Sequence, residues 1–175
     1  FVQSHDLAVP ENYSAVEARL NTDRLIDYII VESYTGNTSW HRNRRVWRAQ
    51  PPAERGDFLV YDLDRGFGHP HTNMLQDIMS LDSLFGPLLA NETFKNQFIQ
   101  RFAHHLNVTY EPQRMVSLVE GLADIIAPEI KRHRARWPVA DWWADNYLSE
   151  ALHNGRPAIA ELPAWQDEVS YIQQY

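Results

Sequence analysis

The sequence predicts a mainly α-helical fold that carries one small β-hairpin. Apolar residues recur every three or four positions through most of the 175-residue chain, which is the spacing of amphipathic helices. Only the stretch 44–61 contains short runs of strand type, separated by a Pro-Pro pair and a glycine. The hydrophobic content of 44% is that of an ordinary globular protein, so the helical segments can share a buried core and a disordered chain is disfavoured.

Two helices precede the predicted hairpin. Residues 11–20 show a short helical pattern after an entry loop. Asn21 or Thr22 can cap a stronger helix, and Gly36 can end it. The apolar stripe of this second helix consists of Leu25, Ile26, Ile29, Ile30 and Tyr34. We expect this helix to be central to the core.

The hairpin is predicted from two short runs. Residues 44–49 alternate weakly and stop at Pro51-Pro52, and residues 58–61 form an apolar run after Gly56. Together they predict two strands joined by a long loop.

Every segment after Asn73 has a helical pattern. Pro112 and Pro163 suit first-turn positions, because a missing N–H group costs least there. Pro128 lies inside the longest pattern, where it should kink or split the helix. The predicted helices cover residues 73–80, 82–90, 92–106, 112–134, 140–153 and 163–173.

The composition excludes several classes of function. Sixteen Lys and Arg against twenty-three Asp and Glu give a net charge of −7, which disfavours a generic binder of nucleic-acid phosphates. No apolar run approaches the roughly 20 residues of a membrane-spanning helix. Cysteine is absent, so disulfides and thiolate zinc sites are excluded.

The most informative polar stretch is the D-x-D-x-G pattern of Asp62, Asp64 and Gly66. A strand delivers two carboxylates and the glycine allows a sharp turn, an arrangement that suits Mg²⁺ or Ca²⁺. The alternative is an acidic strand exit in which one aspartate caps the turn and the other is solvated.

Two further features could carry chemistry. His69 and His71 could ligate a transition metal, although exposed loop histidines, His41 included, are the more common case. The loop 37–43 holds amides, hydroxyls and basic groups between the central helix and the hairpin, and either carries function or only caps the helix.

Several segments taken together resemble the CotH kinases, the family of spore-coat protein H. Order and spacing agree over roughly residues 22–157. The matching segments are LIDYIIVESYTGNTSW at 25–40, the pair Trp47-Arg48, FLVYDLDRGFG at 58–68, NETFKNQFIQRFAHHLN at 91–107, PEIKRHRARWP at 128–138 and the pair Arg156-Pro157.

The resemblance implies a protein-kinase-like fold that uses ATP and Mg²⁺ to phosphorylate protein serines. The YDLD segment is similar to the metal-binding Asp-Phe-Gly element of ordinary kinases, which implies that Asp62 and Asp64 are metal ligands and that Asp62 acts in catalysis. Asn43 is implied as a further metal ligand, from the asparagines of the family motif that resembles NTDWPxNN. Relatives are often secreted or surface-associated, which suggests an extracytoplasmic location.

The sequence departs from the family pattern at the position of the catalytic aspartate, which is Ser39 here. A neutral hydroxyl is a poor proton acceptor and cannot take over this role. His41 replaces the proline of the motif, and the stretch from Ser39 to Trp47 is one residue shorter than the family pattern.

The resemblance also predicts the extent of the chain. We expect residues 1–175 to be a single domain, the C-terminal lobe of the kinase-like fold, with the nucleotide-binding lobe preceding this chain. The phosphate-binding lysine of that lobe has no counterpart here, because the only lysines are Lys95 and Lys131 in late helical segments. The 175 residues alone are therefore predicted to show no kinase turnover.

Three functions remain open at this point. The first is a CotH-like kinase, impaired by Ser39, that acts on serines of a protein substrate. The second is a pseudokinase or binding module for a coat or surface protein. The third is a structural domain stabilised by calcium at Asp62 and Asp64.

Overall fold

The computed structural model describes residues 1–50, 55–136 and 162–175. These residues are mainly helical and contain one two-stranded antiparallel sheet, as the sequence predicts. The elements are α1 (Pro10–Glu17), α2 (Thr22–Thr35), β1 (Arg45–Trp47), β2 (Asp57–Leu59), α3 (Met74–Leu81), α4 (Phe85–Leu88), α5 (Glu92–His104), a π-helical turn (His105–Thr109), α6 (Pro112–Arg136) and α7 (Leu162–Gln174). No helix in the described ranges has the length and apolar character needed to cross a bilayer.

The chain forms two compact units. The first comprises residues 1–66 and 71–105, and the second comprises residues 67–70 and 106–175.

Helix α2 is the centre of the first unit, as its apolar stripe predicts. Ile26, Ile29 and Ile30 have no exposed surface, and the helix packs against α3, α5 and β2. The Asn21 side chain caps its first turn by accepting a hydrogen bond from the Arg24 N–H, and the left-handed Gly36 ends it.

The hairpin pairs β1 with β2 in a register that sets Val46 opposite Phe58. Phe58 packs against Tyr28 of α2, with 5.1 Å between ring centroids, so the hairpin is attached to the central helix. Loop 37–43 precedes β1, and the segment with Asp62 and Asp64 follows β2.

The second unit is built from α6 and α7, which pack together. The hydroxyl groups of Tyr171 and Tyr175 donate hydrogen bonds to the carbonyl oxygens of Gly68 and His69, which attaches segment 67–70 to α7.

The late helices differ from the predicted pattern in two places, and one predicted helix is not tested. Of the two effects expected of Pro128, a kink or a split, the split does not occur, because helix α6 continues through Pro128 to Arg136. The segment predicted as one helix over 82–90 is a cap and the short helix α4, because the Asp82 carboxylate accepts hydrogen bonds from the N–H groups of Leu84 and Phe85. The predicted helix 140–153 lies outside the described residues.

Candidate functional site

The site begins at the C-terminal end of α2. Gly36 has φ 61°, and its N–H and that of Asn37 bond back to carbonyl groups of the last helical turn. Such a left-handed end satisfies carbonyls that the helix cannot pair itself. The loop 37–43 therefore leaves a rigid, buried helix in a fixed direction.

Asn37 is the hub of this loop and is fully buried. Its Nδ2 donates to the Glu32 carboxylate at 2.8 Å and to the Asp62 carbonyl oxygen at 3.4 Å. Its Oδ1 accepts from the Ser39 N–H at 3.1 Å and from the Ser39 hydroxyl at 2.9 Å. One side chain thus joins the central helix, the loop and the DLD segment.

Ser39 is buried and its hydroxyl is committed to the loop. The hydroxyl donates to Asn37 and accepts from the Asn43 side chain at 3.3 Å. Residues 37–43 contain no carboxylate. The loop therefore offers no general base of carboxylate type.

Glu32 lies beneath this loop and is 1% exposed. Burial raises the pKa of its carboxyl group, and the hydrogen bond from Asn37 opposes that effect. Burial and the neighbouring Glu32 charge likewise raise the pKa of Tyr28, one helical turn earlier. Glu32 is thus a buried acid whose hydrogen-bond donor, Asn37, belongs to the candidate site.

The DLD segment reaches solvent beside this network. Asp62 and Asp64 are both exposed, and Asp62 has a left-handed backbone with φ 57°. Among the residues that the structure describes, Phe67 at φ 55° is the only other non-glycine residue with positive φ, and it lies in the same stretch of chain. Such conformations are costly for residues with a Cβ atom and concentrate at functional loops.

Gly66 holds this segment close to the end of α2. A Cβ atom at this position would lie 3.0 Å from the Leu63 carbonyl oxygen and 3.1 Å from the Thr35 carbonyl oxygen. The glycine of the D-x-D-x-G pattern therefore serves a close backbone approach as well as a turn.

The carboxylates of the DLD segment suit a divalent cation whose remaining ligands come from phosphates and water. Within the described part of the chain, no group of three or more His, Asp or Glu residues could hold a metal ion. Asp62 and Asp64 offer two exposed carboxylates, which is the number that Mg²⁺ commonly takes from a protein when phosphates and water complete its shell.

An ion pair fixes the far end of the loop. Arg44 pairs with Asp82, whose side chain is 2% exposed and also caps α4. The Arg44 guanidinium lies 6.0 Å from the centroid of the buried Trp40 ring. Both ends of segment 37–44 are therefore attached to the core of the first unit.

The structure brings four of the motif residues together and leaves others apart. Asn37, Ser39, Asn43 and the backbone of Asp62 form one hydrogen-bonded set. His41, His69 and His71 are exposed, and none belongs to a metal-binding group within the ranges described.

Sequence reasoning missed Glu32 and Asp82. Glu32 lies seven residues after Leu25 and three after Ile29, so a charge on the apolar stripe of α2 was the available signal. Asp82 is the first residue of the predicted helical segment 82–90, where an aspartate can cap the helix.

Comparison with known proteins identifies the family. The family model described as "CotH kinase protein" matches residues 3–175, essentially the whole chain. No match was found among curated proteins or among solved structures.

Proposed function

Because the chain belongs to the CotH kinase protein family, we propose that it is the C-terminal lobe of a kinase-like phosphotransferase, impaired at its catalytic position. In this proposal the intact protein uses ATP and Mg²⁺ to phosphorylate serine residues of a protein substrate. Asp62 and Asp64 hold the metal, and Ser39 stands at the position of the catalytic base.

The observation that carries the proposal is the bridge made by Asn37. Its amide bonds to Glu32 in the core helix, to Ser39 in the loop and to the Asp62 carbonyl in the DLD segment. Phosphoryl transfer depends mainly on positioning and electrostatic stabilisation. A buried side chain that fixes both polar segments in one arrangement supports that kind of site.

Asp62 and Asp64 are the residues that would hold the cation. A bound Mg²⁺ ion supplies positive charge that neutralises the phosphates during transfer. The exposed carboxylates keep the ion accessible to a nucleotide, and the packing of Gly66 on Thr35 fixes the backbone that carries them.

Ser39 limits the reaction. Its hydroxyl is already hydrogen-bonded in both directions, and the buried Glu32 carboxylate is bonded to Asn37. Loss of a positioned proton acceptor lowers a rate by about 10²–10⁴-fold. The proposed activity is therefore slow.

The commitment of the Ser39 hydroxyl also favours a second candidate, a pseudokinase that binds a coat or surface protein without transferring phosphate. In that case the buried network of Glu32, Asn37 and Ser39 maintains the shape of the loop alone. A calcium-stabilised structural domain is the third possibility, and unfolding that is unaffected by a calcium chelator would eliminate it.

The test is transfer of radiolabelled phosphate from ATP to a serine-rich protein by the intact protein. We expect slow transfer, a rise of at least tenfold in Ser39→Asp, and loss of transfer in Asp62→Asn. Asp124→Asn at an exposed position of α6 changes charge equally and should have no effect. Transfer that survives Asp62→Asn would contradict the kinase assignment, and wild-type transfer as fast as that of Ser39→Asp would contradict the impairment.

A further inference from the structure

The hairpin concentrates positive charge in an acidic chain. Residues 41–48 contain four arginines and no acidic residue, although the chain as a whole carries a net charge of −7. Only Arg44 has an ion-pair partner within the described residues, the buried Asp82. Arg42, Arg45 and Arg48 are exposed and, in the same part of the chain, form no ion pair. We call these three residues the arginine cluster.

Apolar surface and an open strand edge accompany the arginine cluster. Val46 is 52% exposed and Trp47 48% exposed, and Leu59 on the paired strand is 43% exposed. β1 pairs with β2 alone in the part of the chain that the structure describes, so no other described strand lies along its second edge. An extended peptide can add to such an edge through main-chain hydrogen bonds, while its side chains determine specificity.

Both strands of the hairpin are continuous in sequence with the candidate site. Strand β1 starts two residues after Asn43, and β2 ends three residues before Asp62. A peptide that binds along β1 would therefore extend towards the loop that contains Ser39.

From these observations we propose that the arginine cluster and β1 bind an extended acidic peptide, so that the substrate is a serine flanked by Asp and Glu. Only the choice of serine as the residue to be phosphorylated rests on the proposed function. Recognition of the acidic segment rests on the charge of the arginine cluster and on the edge of β1. Guanidinium groups suit carboxylates because their planar donors can bind both oxygens.

The experiment measures the fluorescence anisotropy of a labelled peptide mixed with the full chain. The acidic peptide has one serine between Asp and Glu residues, and the matched neutral peptide has Asn and Gln in their place. We expect the acidic peptide to bind at least tenfold more tightly, with a preference that falls from 50 to 200 mM salt because exposed charges are screened. Equal affinity for the two peptides would overturn the proposal.

Two triple variants test the location. Arg42→Gln, Arg45→Gln and Arg48→Gln together should weaken binding of the acidic peptide about tenfold, since each exposed pair contributes a fraction of a kcal/mol. The control, with Arg114→Gln, Lys131→Gln and Arg132→Gln on α6, removes the same charge from exposed positions and should bind as the wild type does. Equal losses in both variants would overturn the proposal, because binding would then follow net charge.

The remaining arms separate other sources of anionic charge. Cluster-dependent binding of tripolyphosphate without binding of the acidic peptide would overturn the proposal in favour of a phosphate site. Cluster-dependent peptide binding without phosphate transfer would support this surface while contradicting the kinase function, so the two failures are distinguishable.

Discussion

Asn37→Ala should be the most destabilising single change in the candidate site. The substitution removes the 2.8 Å hydrogen bond to the Glu32 carboxylate and both bonds to Ser39. A hydrogen bond to a charged group is worth about 1.5–3 kcal/mol and a neutral one about 1 kcal/mol, so we expect a loss of about 4 kcal/mol. For a chain of this length that lowers Tm by about 8–16 °C.

The assay is urea unfolding followed by circular dichroism, on wild type, Asn37→Ala, Glu32→Gln and the double variant. With a neutral acceptor at position 32, Asn37→Ala leaves no buried charge unpaired, so the cycle should show a coupling of about 1–2 kcal/mol. The exposed Asn96 of α5 provides a control, and Asn96→Ala should change stability by less than about 0.5 kcal/mol. A loss below about 1 kcal/mol in Asn37→Ala, or zero coupling, would refute the reasoning.

Three further perturbations test separate parts of the site. Burial raises the pKa of Glu32 above its ordinary 4.5, so the folded state holds this proton to higher pH and stability should fall as pH rises above about 4.5. Glu32→Gln should flatten this dependence of stability on pH in urea unfolding between pH 4 and 8. An unchanged dependence would exclude Glu32 as its origin. Asp62→Gly should keep Tm within about 3 °C of wild type, because glycine relieves the strain of the left-handed backbone but raises the entropy of the unfolded chain. The same variant should abolish any effect of Mg²⁺ and ATP on Tm. A retained effect would remove Asp62 from the metal site. Asp82→Ala should lower the free energy of unfolding in urea by about 3 kcal/mol, because it breaks both the ion pair with Arg44 and the cap of α4. The control Asp77→Ala, at an exposed position, should lower it by less than about 1 kcal/mol. Equal losses would contradict the role of the buried pair.

The sequence predicted those elements that are encoded by local patterns. The apolar stripe of α2, its Asn21 cap and its Gly36 end were all readable because each depends on neighbouring residues. The hairpin was also predicted correctly. The π-helical turn at His105–Thr109 was not predicted, because packing decides whether a locally unfavourable backbone is retained.

The sequence indicated residues of the candidate site but not the hydrogen bonds that connect them. The D-x-D-x-G pattern singled out Asp62 and Asp64, and the family resemblance added Ser39 and Asn43. Neither revealed that Asn37 links the loop to the DLD segment 25 residues later. The left-handed backbone of Asp62 was equally hidden, since aspartate carries no sequence signal for positive φ comparable to glycine. Long-range hydrogen bonds and strain follow from the tertiary fold, which a single sequence does not display.

The thermal stability of the protein with Mg²⁺, with ATP and with both together tests the central claim most directly. At about 100 times its dissociation constant a ligand adds roughly 2.7 kcal/mol, which for this chain raises Tm by about 5–10 °C. We predict that rise only when Mg²⁺ and ATP are both present, and its loss in the Asp62→Asn, Asp64→Asn double variant. No rise in wild type, or the same rise in the double variant, would contradict the claim that these two aspartates hold the metal of a nucleotide site.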